Sequence, residues 1–269
     1  MKKVKGNERE RPASPFWAKL ILALVLIFLY LPLIVMIVNS LLNKVDGVWS
    51  FTLQWYQEVF ADHALLEAVG RSLYVGFASG LIATIVGTTA AIAISRSHFR
   101  FRFVIEIMSF VALIIPELVF ALALLSWFFI LKVSLSLNTV IIAHVTFCIS
   151  FVIITISSRL ASLDSSIEDA ARDLGASEFR ILRSITLPLL VPALGTSFVL
   201  SFLLSFDDFL ITFYTNGVGA DTLPILLYVS LKTGITPKLS AMATMMFLFS
   251  LSLIMVGVRG RTLRDLLDA

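Results

Sequence analysis

Cysteine is almost missing from this 269-residue chain, which has Cys148 alone. A single thiol cannot close an internal disulfide, and it excludes a Cys-x-x-Cys metal or redox site. Inside an apolar run it reads as a small buried hydrophobe. Histidine is nearly as scarce, with three in all. His63 and His98 have no partner at metal-ligand spacing. His144, within an apolar run, reads as a hydrogen-bonding group between helices, with a place on a transport path as the alternative. No metal site is expected. Charge is thin as well: charged residues make up 14% of the chain and hydrophobic ones 58%. Soluble domains carry about 25% charged residues, so a water-soluble fold is excluded. The chain also lacks G-x4-G-K-[ST], so it has no loop of its own to cradle ATP phosphates, and it lacks the HExxH of zinc proteases. It has no internal repeat and no low-complexity tract.

What the chain has instead is long apolar runs, with a mean hydropathy of +0.96. A bilayer core about 30 Å thick needs roughly 20 apolar residues per helix. Runs of that length cover about 16 to 40, 68 to 95, 104 to 131, 138 to 158, 189 to 213 and 238 to 258. The expectation is an all-α membrane protein with one domain of six transmembrane helices over 16–258, flanked by tails at 1–15 and 259–269. The first run follows a basic tail, but it is too long for the core of a signal peptide and no small-residue cleavage site follows, so it reads as a retained anchor.

The distribution of lysine and arginine orients these runs. Lys2, Lys3, Lys5, Arg9, Arg11 and Lys19 precede or open the first run, and Arg96, Arg100 and Arg102 lie between the second and third. Arg159, Arg172, Arg180 and Arg183 lie between the fourth and fifth, and Arg259, Arg261 and Arg264 follow the sixth. Only Lys44, Arg71, Lys132, Lys232 and Lys238 fall on the opposite side. The positive-inside rule therefore puts both termini and the 159–187 loop in the cytoplasm, and the net charge of +3 reads as topology, not as a nucleic-acid patch. Trp49, Trp55 and Tyr56 in the outer loop 41–67, and Tyr214 and Tyr228 in the outer loop 214–237, suit a headgroup interface. Residues 223–231 are expected to lie along the membrane or dip into it.

The stretch EDAARDLGASEFRILRSITLPLL, residues 168–190, interrupts this pattern with charge. Ser165 with Glu168 three residues later is a capping box, and Asp164 is a second candidate cap. Ile167, Ala170, Ala171 and Leu174 then recur at helical spacing, opposite Glu168, Asp169, Arg172 and Asp173. Gly175 should end this helix, and a second should begin near Ser177 and run towards Pro188. Periodicity alone reads this as a solvated amphipathic loop on the membrane surface.

Asp169-Ala170-Ala171, Gly175 and Ile185-Thr186-Leu187-Pro188 together resemble the E-A-A-x3-G-x9-I-x-L-P signature of bacterial ABC importer permeases. Asp169 stands where that signature has Glu, which keeps the charge and shortens the reach by one methylene; Glu168 points about 100° away around the helix. The resemblance implies the type I importer permease fold, with segment 164–187 as a coupling helix between the fourth and fifth spans. Glu168, Asp169, Ala170, Ala171, Gly175, Ala176 and Ser177 would face a cleft on a cytoplasmic ATPase subunit. It also implies a bacterial inner-membrane complex of two ATP-binding cassette subunits, a second and different permease subunit, and an extracytoplasmic substrate-binding protein. ATP would be held by the partner, leaving this chain without a cofactor and without enzymatic activity. The runs HVTFCISFVIITISSRL and LSFLLSFDDFLITFYTNG are similar, more narrowly, to permeases of spermidine and putrescine importers.

Carboxylates inside the apolar runs need a separate account, because each costs about 2.5 to 3.5 kcal/mol near a helix centre. Asp207 and Asp208 lie 19 and 20 residues beyond Pro188, or roughly 28 Å along a helix. Glu117 follows Pro116, whose missing N–H favours a kink. Phe206 and Phe209 flank the Asp pair, and Trp127 and Phe128 follow Glu117, so these carboxylates suit a path for a polyamine, whose ammonium groups need anionic and aromatic partners. The bland alternative has the Asp pair capping a helix end or pairing with Lys232 or Arg71, and Glu117 as a structural group at a subunit interface. The same architecture could import an amino acid, opine, phosphonate, thiamine or iron. A secondary transporter would also bury carboxylates, but it normally carries an internal repeat. Gly217-Val218-Gly219-Ala220-Asp221 has one residue too many for the GxGD of intramembrane aspartyl proteases.

Overall fold

The computed structural model describes residues 16–45, 48–96 and 102–259. The tail basics Lys2, Lys3, Lys5, Arg9 and Arg11, together with His98, Arg100, Arg261 and Arg264, lie outside the described residues. So do the expected tail 1–15 and nearly all of 259–269.

Helix α1, Phe16–Ser40, is apolar on all sides and buries only Ser40, as a lipid-facing helix should. It leads straight into an antiparallel hairpin of β1, Leu42–Val45, and β2, Val48–Phe51. The outer loop expected here is therefore partly structured. Helix α2, Gln54–Ala61, follows. Its two expected interfacial aromatics turn their polar atoms inward: Trp55 Nε1 donates to the Leu42 carbonyl at 3.0 Å, and Tyr56 Oη contacts Ser40 Oγ at 2.7 Å.

The centre of the molecule is α3, His63–Arg96, packed on α6, Leu137–Ala161, and on α9, Leu187–Phe206. In lipid, close approach replaces hydrophobic driving force, and α3 supplies it with a stripe of buried small residues: Ala68, Ser72, Gly76, Ser79, Gly80, Ala83, Gly87 and Ala91. Gly87 is the tightest of these. A Cβ there would sit 2.6 Å from Cβ of Val152 on α6, so any larger residue would separate the two helices.

The expected third span is broken. Helices α4, Arg102–Ile114, and α5, Glu117–Ile130, meet at Pro116 with a bend of 112°. Proline cannot donate to the ladder, and the kink expected there is a sharp turn of the chain. Counting this pair as one span, the described residues hold up to six candidate membrane spans. The expected fifth span is also interrupted: α9 ends at Phe206, and a short α10, Leu210–Thr215, begins after Asp207 and Asp208. Helix α11, Leu223–Thr233, buries its first residues, Leu223, Pro224 and Ile225, and α12, Pro237–Arg259, packs on α1 and α2.

Between α6 and α9 stand the short helices α7, Ser165–Asp173, and α8, Glu178–Ile181. Asp164, not Ser165, caps α7, its Oδ1 accepting from Ser166 N at 2.9 Å. The Ser165 capping box does not form, because Glu168 is drawn elsewhere. Gly175 joins the two helices at φ +82°, a left-handed conformation that costs an L-residue about 1 to 2 kcal/mol. Helix α8 runs into α9 through one π-helical turn, Leu182–Thr186, in which Leu187 N reaches back to the Leu182 carbonyl. The cause is Pro188, which has no N–H and whose ring collides with the carbonyl four residues back in a regular helix.

Candidate translocation cavity and docking segment

The two helix breaks converge. Glu117 opens α5 just after the Pro116 bend, while Asp207 and Asp208 fill the gap between α9 and α10. All three carboxyl groups line one cavity of about 330 Å³, together with Phe147, Leu204, Phe209 and Leu210. Glu117 and Asp208 lie close together in its lining. Carboxylates this close repel unless a proton or a cation sits between them.

Asp208 is buried and held by hydrogen-bonding groups on two elements. Thr212 N donates to its Oδ1 at 2.8 Å, Thr212 Oγ1 lies at 3.1 Å and His144 Nε2 at 3.1 Å. His144, 1% exposed, contacts Ser205 Oγ through Nδ1 at 2.5 Å, so it bridges α6 to both sides of the α9 break. A carboxylate can only accept, so Nε2 carries the hydrogen facing Asp208. Asp207 is exposed towards the cavity.

Neither cation considered for the Asp pair serves it. Arg71 pairs with Glu67 at 3.3 Å and donates to the Asp221 carbonyl at 2.7 Å, and the Lys232 ammonium sits 4.7 Å from the centre of the Tyr228 ring. Among the described residues, no lysine or arginine is ion-paired with Glu117, Asp207 or Asp208. Nor does any group of three His, Cys, Asp or Glu among them have the placement to hold a metal ion.

Of the expected aromatic partners, Phe209 lines the acid cavity, while Phe206, Trp127 and Phe128 do not. Phe206 is 3% exposed and stacked on Phe202, with Phe249 at 5.0 Å; it lines a separate, apolar cavity with Met242 and Met246. Trp127 lies ten residues along α5 from Glu117, about 15 Å away along the helix, and faces outward. Phe147, which the sequence did not point to, joins Phe209 in the cavity wall. Phe209 sits on the other side of Asp208 from Phe206, and the break in α9 rotates it inward. Phe147 had no local signal, lying on α6 with nothing in sequence to link it to the acids.

At the far end of α9, about 30 Å away, is the charged segment. Its face is cross-braced: Arg172 Nη1 donates to Asp169 Oδ1 at 2.7 Å and Nε to Glu178 Oε1 at 2.8 Å, spanning Gly175. Arg172 holds the Glu178 carboxyl below the usual carboxylate range, and Glu178 in turn holds the guanidinium above its own. Leu174 is 89% exposed and Phe179 70%, both large apolar side chains on a segment otherwise rich in charge. Ala170 and Ser177 are also exposed and Ala171 and Ala176 half-buried, so most motif positions lie on an open surface. Glu168 turns inward to an arginine of another helix.

Residues 83–268 match the family model described as binding-protein-dependent transport system inner membrane component. The chain belongs to that family. It is thus an inner-membrane component of an ABC importer, a transport subunit and not an enzyme. Family members of this kind work with a substrate-binding protein and an ATPase. The chain is 39% identical over 232 residues, 86% of its length and 90% of the relative's, to the spermidine/putrescine transport system permease protein PotC of Haemophilus influenzae. It is 37% identical over 238 residues, 85% of each chain, to the putrescine transport system permease protein PotI of Escherichia coli K12. A putative 2-aminoethylphosphonate transport system permease protein of Salmonella typhimurium is 31% identical over 76% of this chain and 78% of its own. Among solved structures, a bacterial ABC transporter importing the acidic polysaccharide alginate matches at TM-score 0.70 over 92% of this chain and 93% of that one, at 14% identity. The methionine transporter MetNI, in inward-facing conformations, matches at 0.63 and 17% identity, over 72% of this chain and 93% of that one. These structures share the type I importer permease fold.

Proposed function

We propose that this permease forms half of a translocation path for polyamines, spermidine and putrescine above all, and that it works by alternating access driven by a separate ATPase. One observation carries the substrate reading: three carboxyl groups share a membrane-embedded cavity with two phenylalanines, and no lysine or arginine lines it. Acids within the membrane without a lysine or arginine partner are costly, so their partner is a mobile cation that enters and leaves. A linear polyamine carries ammonium groups spaced by methylenes, which match separated carboxylates and the aromatic and leucine wall. The relatives named for spermidine and putrescine agree with this chemistry. A 2-aminoethylphosphonate, suggested by the more distant relative, would bring negative charge into a cavity that already holds three carboxyl groups.

In this reading the complex contains two ATPase subunits, this chain paired with a second, different permease subunit, and an extracytoplasmic binding protein. Both termini and segment 164–187 lie in the cytoplasm, on the strength of the arginine distribution. Exposed Leu174 and Phe179 and the Asp169–Arg172 pair form the docking face for the ATPase. ATP stays on that partner, so this chain needs no cofactor. Closing of the ATPase pair moves the segment, α9 follows, and the acid cavity opens outward to receive substrate. The test is ATPase stimulation of the reconstituted complex by its loaded binding protein, across putrescine, spermidine, amino acids and 2-aminoethylphosphonate. Stimulation by the two polyamines alone is expected; stimulation by an anionic or zwitterionic solute without polyamine response overturns the substrate assignment.

A further inference from the structure

Helix α7 has no buried residue, so apolar packing does not hold it to the membrane bundle. One polar cluster does. Glu168 Oε1 accepts from Arg96 Nη2 at 2.5 Å and from Thr186 Oγ1 at 2.6 Å, and Arg96 Nη2 also reaches Thr186 Oγ1. Three atoms from three elements are thus in mutual contact: the last turn of α3, the middle of α7, and the π turn that opens α9. Thr186 is fully buried, and the two charged side chains are about a quarter exposed. Charge-assisted hydrogen bonds of this length in a partly dry site are the strong kind, and the positive side chain at the C-terminus of α3 suits that helix's dipole.

We propose that Arg96, Glu168 and Thr186 form a strut that transmits movement of the docking segment into α3 and α9. This rests on the reading of 164–187 as the ATPase-docking segment and adds the route by which force leaves it. Three features fit a strut better than a mere anchor. The Arg172 brace across Gly175 makes α7 and α8 one body, so a push at the exposed apolar tip is not absorbed at the glycine. The strut meets α9 at its π turn, where the helix is already shifted out of regular register. Helix α9 ends at Asp207 and Asp208, so rotation at Thr186 arrives at the acid cavity. Glu168 is a positioning residue in this scheme: its carboxylate is consumed inside the protein, which leaves Asp169 as the carboxylate presented outward.

The experiment compares the ATP hydrolysed per polyamine imported in proteoliposomes holding the complete complex, with co-purification of the ATPase subunit measured alongside. Arg96→Gln and Thr186→Val should each raise that ratio at least about threefold, in the range seen for coupled contacts, while the ATPase subunit still co-purifies. Thr186→Ser keeps the hydroxyl and should stay near wild type. The exchange Arg96→Glu with Glu168→Arg should recover part of the coupling that either single change loses. An unchanged ratio in both Arg96→Gln and Thr186→Val, or a parallel fall of hydrolysis and uptake, overturns the strut. Should Arg96→Gln fail to assemble, the contrast between Thr186→Val and Thr186→Ser decides. Gly175→Trp in the same assay separates the two readings: if uptake and substrate-stimulated hydrolysis both stay at wild type, the docking assignment fails; if both fall while the strut variants keep the wild-type ratio, only the strut fails.

Discussion

The acid cavity and the charged knob formed by α7 and α8 treat their carboxylates in opposite ways. In the knob three carboxylates are paired with arginine: Asp169 and Glu178 share Arg172, and Glu168 has Arg96. In the cavity Asp208 is held by a histidine, a threonine hydroxyl and a backbone N–H, and neither Glu117 nor Asp207 is ion-paired with a lysine or arginine among the described residues. Fixed countercharges make the knob a rigid body in water, where unpaired charges would cost little. Their absence is concentrated where it costs most, inside the membrane. A protein that spends stability in this way keeps the cavity open to a cation that is not part of the chain, and gives the knob a shape that does not depend on what is being carried.

The contrast breaks first if the cavity is neutralised. Asp207→Asn with Asp208→Asn should lower polyamine uptake by about 10- to 100-fold, the worth of one or two charged hydrogen bonds. The ATPase subunit should still assemble, because the knob is untouched. Radiolabelled uptake in proteoliposomes measures this, and wild-type uptake would relegate the pair to structure.

The knob is broken by shape, not charge. Gly175→Trp puts a Cβ on a residue at φ +82°, a strain of about 1 to 2 kcal/mol, and places an indole on the docking face. Uptake should fall about tenfold. Substrate-stimulated ATP hydrolysis should fall with it, while binding of polyamine to the permease, read by equilibrium dialysis, stays at the wild-type level. Loss of polyamine binding would join the two regions more tightly than the geometry does.

How far the sequence carried this reading differs between the same two regions. The spans, their apolar faces and the knob's two short helices follow from run length, capping residues and a glycine, all of them local signals. So did the presence of acids in the membrane. Their convergence did not, because Glu117 and Asp208 are 91 positions apart and meet only through two helix breaks. The sequence marks the break at Pro116 but nothing tells its 112° from a gentle kink. The break after Phe206 has no proline or glycine; it is set by Asp208 turning back to accept from Thr212 N. Phe206 was assigned to the cavity by adjacency alone, and a helix that ends at that residue separates it from Phe209. Asp46-Gly47, flanked by valines, is a hairpin signal that a reading for membrane spans passes over. Glu168 was read as a capping partner because Ser165 precedes it by three; Arg96 and Thr186, distant in sequence, offered it stronger contacts.

A gentler change at the cavity tests how firmly its acids are placed. His144→Ala leaves Asp208 and Ser205 each short of a partner in a buried site, at about 1 to 3 kcal/mol. Thermal unfolding of the purified protein in detergent should drop by about 2 to 10 °C. If the melting point holds, Asp208 is fixed by Thr212 alone and the histidine is incidental.

The smallest effect concerns pH and falls on the knob only. The carboxyl of Glu178 is held below its ordinary value chiefly by its hydrogen bond to Arg172. A carboxylate with a depressed folded-state pKa contributes order above its unfolded value, about 4.3, and loses it as pH falls through the folded value. The brace across Gly175 should therefore be constant from about pH 8 to pH 5 and loosen only below about pH 4. Spin labels at positions 167 and 179, on either side of the glycine, should report one narrow distance throughout the upper window and a broader distribution in acid. Arg172→Gln should show the broad distribution at neutral pH. Both residues are solvent-exposed, so global stability should change little, as exposed pairs contribute at most about 1 kcal/mol. A narrow distance in acid, or in Arg172→Gln, would mean that backbone geometry at Gly175 holds the two helices together without the guanidinium. The rigidity of the knob would then come from its turn and not from its charges.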